Sequence, residues 1–111
     1  MQKMREDIVK KMLVTPVTVF PPEATDSLGD AETPEPISYK GYLYENNKKV
    51  LNSVGVEVLS GAQIYLQGKD ANAIDVLSRV TCEKYIQSPI LSKEVFRGKR
   101  GSLVIGVLYL P

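Results

Sequence analysis

The C-terminal run from Leu103 to Leu110 is apolar at every position except Gly106. Eight residues are too few for a helix across a bilayer, which needs about 20, and we expect no membrane partner. Successive side chains of a strand point to opposite faces, so an apolar strand of this kind needs cover on both faces. The run therefore predicts a β-strand in the centre of a sheet or against another subunit.

The chain from Ile37 onward carries further strand patterns. Apolar and polar residues alternate over 37–44, 56–66 and 74–80, with the period of a half-buried strand. Gly61 inside the second run predicts a bulge or a sharp bend. These patterns predict a mainly β fold, a small β-barrel of about six short strands with a short N-terminal helix and long loops.

A length of 111 residues predicts a single domain over 1–111. Within it, residues 1–11 have a weak helical pattern and are predicted to form an N-terminal helix or arm, and 12–20 are the predicted first strand. Pro16 cannot donate a ladder hydrogen bond, which favours an edge strand or a bulge there. Residues 21–36 are predicted to form an acidic loop, and 37–111 the β-barrel.

Residues 23–36 contain five acidic side chains and no lysine or arginine. Their spacing does not match a calcium loop, so no metal is expected there. A solvated loop, a loop that contacts a basic neighbour and a loop that repels DNA all fit this composition. The candidate acidic interface residues are Glu23, Asp26, Asp30, Glu32 and Glu35.

A basic turn lies just before the last strand, with Arg97, Lys99 and Arg100 beside the two glycines Gly98 and Gly101. The glycines let the backbone approach a phosphate closely, and the cations favour a nucleic acid or an acidic partner surface. The alternative is an exposed hairpin turn kept soluble by its charge. These three residues are the candidate interface or DNA-facing positions.

Histidine is absent and cysteine occurs once, as Cys82. The chain therefore holds no Cys/His zinc site, Ser-His-Asp triad or Cys-His dyad. Nothing marks Asp70 and Asp75 as an acid and a base, and no glycine-rich phosphate cradle is present. We expect no enzymatic activity and no cofactor, with Cys82 packing as a small apolar residue.

Two stretches of the sequence, VEVLSGAQIYLQG at 56–68 and PILSKEVFRGKRGSLVIGVLYL at 89–110, carry a resemblance. A strand ends in a small-residue bend before Ile64 to Leu66, and a later Pro89-Ile90 leads to a Gly- and Lys-rich turn and a final apolar strand. This pattern resembles the small minor capsid proteins of tailed phages that join head to tail, also called head-closure or stopper proteins. It covers about the last two-thirds of the chain.

The resemblance implies a small β-barrel that assembles into a six- or twelve-fold ring below the portal. Such a ring joins the head to the tail and helps retain packaged double-stranded DNA. The implied neighbours are a portal-side adaptor and tail-side proteins, and the implied location is the head-tail interface of a virion assembled in the host cytoplasm.

In such proteins a long inter-strand loop reaches into the channel. By strand order, the resemblance assigns this loop to the segment from Asn46 to Gly55. Its candidate channel residues are Asn46, Asn47, Lys48, Lys49, Val50, Leu51, Asn52 and Ser53.

A competing hypothesis is a nucleic-acid-binding barrel of the oligonucleotide-binding type. It would use the basic turn together with a stacking platform built from Tyr39, Tyr42, Tyr44 and Tyr65. Cross-strand packing or interface contact also explains these tyrosines. Salt-dependent DNA binding by the isolated monomer would favour the nucleic-acid hypothesis. A third hypothesis, an enzyme, has no supporting motif.

Overall fold

The structure is a computed structural model that describes residues 12–25, 31–32, 34–52 and 54–111. The predicted N-terminal helix or arm at 1–11 lies outside the described residues, as do Asp26, Asp30 and Ser53. The fold of the described residues is mainly β, as predicted. It contains more strands than the six expected. Lys48–Leu51 and the short pair Ala24–Thr25 with Ala31–Glu32 lie in segments predicted as loops, and the predicted strand over 56–66 is divided in two.

The described residues form eleven strands and one short helix. The strands are β1 Thr15–Phe20, β2 Ala24–Thr25, β3 Ala31–Glu32, β4 Ile37–Tyr44, β5 Lys48–Leu51, β6 Glu57–Ser60, β7 Ala62–Gln67, β8 Arg79–Cys82, β9 Tyr85–Pro89, β10 Ser92–Arg97 and β11 Leu103–Leu110. Helix α1, Gly68–Ala73, follows β7, and a 3-10 turn at Lys99–Gly101 precedes β11.

Seven strands form one antiparallel sheet in the order β10-β11-β7-β4-β1-β8-β9. This sheet curls into half a barrel. Two further pairs, β2 with β3 and β5 with β6, form separate two-stranded sheets. The β2–β3 pair lies in the predicted acidic loop, so part of that loop is ordered as a short ladder.

The first strand lies between β4 and β8, so it is not the edge strand that was one of the two predictions for Pro16, although Pro16 itself pairs on one side only. Strand β1 pairs with β4 along Thr15 to Val19 and with β8 only from Thr18 onward. No β8 residue lies opposite Pro16, and its missing N–H therefore removes no hydrogen bond on that side.

The inner face of the curled sheet holds the hydrophobic core. Strand β11 lies between β10 and β7, and its residues from Gly106 to Leu110 are all buried, which confirms the predicted central position. Leu108 and Leu110 point into the core, whereas Val107 and Tyr109 are buried on the outer face. The other core residues are Val17, Val19, Ala62, Ile64, Leu66, Ala71, Ile74, Val80, Cys82 and Ile90.

Helix α1 closes one end of this core at Gly106. A Cβ on Gly106 would overlap the Cβ of Ala71, so the helix approaches the strand as closely as a glycine permits. The ammonium group of Lys93 on β10 donates hydrogen bonds to the carbonyls of Ala71, Asn72 and Ile74. These bonds satisfy carbonyls at the C-terminal end of the helix and fix it to the sheet.

No helix among the described residues has the length and apolar character to cross a bilayer.

We predict that Gly106→Ala lowers the free energy of unfolding by about 1–3 kcal/mol, because overpacking forces the helix away from the strand. Adding Ala71→Gly removes the overlap and should recover part of this loss, although glycine in a helix itself costs about 1 kcal/mol. Urea unfolding of both single variants and the double variant measures the coupling. Strictly additive losses would show that the two residues do not meet.

Candidate functional site

The β5–β6 hairpin leaves the main sheet between two strands that pair with each other. Leu43 and Tyr44 of β4 lie opposite Ile64 and Gln63 of β7, yet the chain between them forms a separate two-stranded ladder. Residues 45–47 link β4 to β5, and Gly61 separates β6 from β7. The hairpin is therefore an excursion that the seven-stranded sheet does not need for its own pairing.

A buried polar network holds the base of the hairpin. The hydroxyl of Ser60 lies 2.7 Å from the carbonyl oxygen of Leu110 and 2.9 Å from that of Ala62, and it can donate to either. The side-chain amide of Gln63 donates to the carbonyl of Asn46 and to the Ser60 hydroxyl. Ser60 and Gln63 are both buried. Unpaired polar atoms at this depth are costly, so these bonds define where the hairpin leaves the sheet.

An exposed cluster of Glu45, Lys84 and Tyr85 holds the first residue of the link between β4 and β5. The ammonium of Lys84 lies 2.7 Å from the carboxylate of Glu45, and the hydroxyl of Tyr85 donates to the same carboxylate. The hydrogen bond that Lys84 donates to Glu45 lowers the pKa of Glu45, and the same bond raises the pKa of Lys84. A lowered folded-state pKa gives stability above the unfolded pKa and loses it as pH falls through the folded pKa. The exposed position keeps this contribution small.

The turn of the hairpin is ordered by one asparagine. The side-chain oxygen of Asn52 accepts hydrogen bonds from the backbone N–H groups of Val54 and Val56. The backbone N–H of Asn52 donates to the Val56 carbonyl. Gly55 has a φ of +83°, a left-handed conformation that glycine adopts without strain. These bonds hold the described residues of the turn, Asn52 and Val54 to Val56, in one arrangement.

One face of the hairpin is half-buried and the other is exposed. Val50 lies opposite Val58 on the half-buried face, and Leu59 and Leu51 lie on the other face, opposite Lys49 and Glu57 respectively. Aliphatic side chains dominate the exposed face and the turn. Their exposed fractions are 61% for Leu51, 77% for Val54, 55% for Val56 and 60% for Leu59.

The hairpin borders a groove of about 360 Å³ beside β10, lined by Lys48 to Leu51, Ser92 and Glu94. The ammonium of Lys48 lies 5.4 Å from the centre of the Tyr109 ring, a cation–π contact. The hydroxyl of Tyr109 donates to the Glu94 carboxylate at 2.6 Å. Burial, followed by this hydrogen bond, raises the pKa of Tyr109, so the phenol stays protonated and keeps donating at neutral pH.

The structure places the candidate channel residues on a single hairpin. Asn46 and Asn47 lie in the link, Lys48 to Leu51 form β5, and Asn52 begins the turn. Sequence reasoning missed the second half of the hairpin, in which Val56, just before β6, and Leu59, in β6, are exposed. The signal that could have found it is the bend predicted at Gly61, which separates β6 from β7.

The residues of the predicted basic turn and acidic loop do not cluster with the hairpin. Arg97 is the last residue of β10, whereas Ser92, which lines the groove, is the first. The guanidinium of Arg97 donates to the Gly101 carbonyl. Arg100 has a φ of +61° in the 3-10 turn that also contains Lys99. In the acidic loop, Glu23 and Glu35 are exposed and Glu32 belongs to β3. The described residues contain no group of three or more acidic or cysteine side chains placed to hold a metal ion.

The four tyrosines of the stacking hypothesis are divided between the faces of the sheet. Tyr39 packs against the core, and burial raises its pKa. Tyr42, Tyr44 and Tyr65 lie on the outer face, where the rings of Tyr42 and Tyr65 are 6.5 Å apart and inclined at 48°. A platform of all four rings does not form.

Cys82 is in the core, and burial raises the pKa of its thiol.

No protein-family model, curated protein or solved structure matches the chain. A functional assignment therefore depends on the geometry of its own residues. The described residues present exposed aliphatic side chains on an anchored hairpin, beside a sheet face that carries tyrosines. This arrangement suits the binding of another macromolecular surface.

We predict that Ser60→Ala lowers the free energy of unfolding by about 1–3 kcal/mol, because it removes a buried donor and leaves the Gln63 amide short of an acceptor. Thermal and urea unfolding measure the change. Ser88→Ala is the matched control, since the Ser88 hydroxyl makes an exposed bond to the Pro89 carbonyl and should matter by less than about 0.5 kcal/mol. Equal effects of the two substitutions would contradict an anchoring role for Ser60.

Proposed function

We propose that the chain is a structural subunit of a head-tail connector ring of the head-closure, or stopper, type in a tailed-phage virion. The observation that carries the proposal is the β5–β6 hairpin, which projects from the sheet between β4 and β7. Its strand β5 and part of its turn lie in the segment from Asn46 to Gly55, to which the resemblance assigns the channel loop. The ring would contain six or twelve copies and join the portal side to the tail.

The fold supports a barrel-forming subunit. The seven-stranded sheet is curled, and among the described residues its terminal strands β10 and β9 each pair on one side only. We propose that this half-barrel is the small β-barrel that the resemblance implies. Unpaired strand edges and exposed aliphatic residues are both features that neighbouring subunits cover in an assembly.

In this proposal, the hairpin faces the channel of the ring. Lys48 and Lys49 near its base would offer positive charge to packaged double-stranded DNA, and the ordered turn at Asn52 would set how far it reaches. A portal-side adaptor and tail-side proteins would contact the two ends of the ring. The basic turn with Arg97 and the acidic loop with Glu23 and Glu35 would then face neighbours or DNA.

One observation favours the competing nucleic-acid hypothesis. Tyr42 and Tyr44 are exposed on the outer face beside Lys40, where bases could stack. Two features weigh against it. Tyr39 is turned into the core, and the carboxylate of Glu45 directly follows Tyr44.

Sedimentation velocity and electron microscopy of the full chain test the proposal. We predict closed rings of six or twelve copies with an open centre, increasing with protein concentration. A monomer at every concentration that binds single-stranded DNA with a steep loss of affinity at raised salt would contradict the ring and favour the alternative. In particles that contain the chain, a gold-labelled antibody should bind at the junction of head and tail, and labelling elsewhere would also contradict the proposal.

A further inference from the structure

Strand β5 of the hairpin has one hydrogen-bonding edge that no described strand occupies. Within the described part of the chain, β5 pairs with β6 alone. The backbone N–H of Asn52 donates to the Val56 carbonyl, and bonded pairs alternate along an antiparallel ladder. Leu51, and Lys49 two residues before it, therefore point their backbone N–H and C=O groups away from β6.

The groove of about 360 Å³ beside β10 runs along this free edge. It is lined by all four residues of β5 and by none of β6. Its other wall is formed by Ser92 and Glu94 of β10, the strand at one end of the seven-stranded sheet. The groove therefore gives access to the free backbone groups and supplies side-chain contacts next to them.

From this geometry we infer that the groove binds an extended, acidic segment of another protein, which adds to β5 as a strand. Hydrogen bonds to the backbone of Lys49 and Leu51 hold the added strand, in the manner of β-strand addition. The inference goes beyond the proposed ring and does not depend on it. A strand beside β5 leaves the outer end of the hairpin, from Asn52 onward, free for a role in the channel.

The charges along the edge favour an acidic segment over a second copy of β5. Lys48 and Lys49 are adjacent and exposed, so two β5 edges side by side would bring like charges together. The ion pair of Lys49 with Glu57 is long, at 3.7 Å, and largely exposed, so it contributes little and leaves the ammonium able to exchange partners. The single anion of the groove, Glu94, already accepts a hydrogen bond from Tyr109.

The far edge of the main sheet, on β9, is protected against strand addition. Gln87 in the middle of β9 has a φ of +46°, which interrupts the extended backbone, and Pro89 at its end has no N–H. In β5, all of which the structure describes, no residue is a proline and none has a positive φ. The edge of β5 is therefore a regular template for a strand.

Titration of the full native chain with a labelled peptide tests the inference. The probe is a peptide of alternating threonine and glutamate, about seven residues long, and the readout is fluorescence polarisation. We expect saturable binding, and several-fold weaker binding when lysine replaces glutamate. Backbone N-methylation of one set of alternate residues should weaken binding by about tenfold, since each lost bond contributes a factor of roughly 2–10. Methylation of the other set should matter less, because those N–H groups face away from β5.

Leu51→Pro tests the same edge from the side of the protein. It removes an N–H of the free edge and no ladder bond to β6. We expect peptide binding to weaken about two- to tenfold. Leu59→Pro is the matched control, since Leu59 occupies the equivalent position on β6, where its N–H points away from β5 and from the groove. It should bind the peptide as the native chain does, and melting temperatures of both variants report folding.

Equal binding of all the methylated peptides, or equal binding of the glutamate and lysine peptides, would overturn the inference. So would equal effects of Leu51→Pro and Leu59→Pro. If either variant fails to fold, the methylated peptides on the native chain still decide. A native chain that binds a DNA duplex and not the peptide would overturn the inference and leave the proposed function in place, because rings are scored separately by sedimentation.

Discussion

Strand β11 needs cover on both of its faces, and most of the architecture meets that need. On the inner face Leu108 and Leu110 pack in the core, and α1 lies directly against Gly106. On the outer face Val107 and Tyr109 are buried, with Lys48 of the hairpin over the Tyr109 ring. The same strand ends at the Leu110 carbonyl that accepts from Ser60. Burial of one strand thus positions both the helix and the base of the hairpin.

The hairpin combines a fixed base with an exposed outer part. Buried hydrogen bonds from Ser60 and Gln63 determine its exit from the sheet, and Asn52 orders its turn. Order of this kind lowers the conformational entropy lost on binding, so exposed aliphatic side chains on it are suited to a partner surface.

Much of the core was predictable, because the signals there are local. The apolar run at β11 predicted a strand buried on both faces, and Gly61 predicted the bend between β6 and β7. The interior position of β1 was not predictable. A proline shows that one N–H donor is missing, but it does not show that β8 pairs with β1 only from Thr18 onward. The separate hairpin was missed for a related reason. Val56 and Val58 continue the alternation of Ala62 to Leu66 across Gly61, and alternation does not say which strand pairs with which.

The candidate site was predictable only as a segment. Strand order and resemblance pointed to the region from Asn46 to Gly55, but the exposure of Leu59 depends on which face of the hairpin meets the sheet. The division of the tyrosines follows the same logic. Tyr39 is odd-numbered on β4 and faces the core, whereas Tyr42 and Tyr44 are even-numbered and face outward. Alternation over 37–44 separates Tyr39 from Tyr42 and Tyr44, but it does not show how the faces of β4 and β7 combine in the sheet.

The most direct measurement of the central claim is the assembly state of a chain without the outer hairpin. Residues 50–58 are replaced by Asn-Gly, a tight turn that joins Lys49 to Leu59, which lie opposite each other in the ladder. We expect this chain to keep the melting temperature of the native protein within a few degrees, because the main sheet and its anchors remain. We also expect it to stay monomeric at concentrations where the native chain forms rings. Rings of native size from the shortened chain would contradict the account.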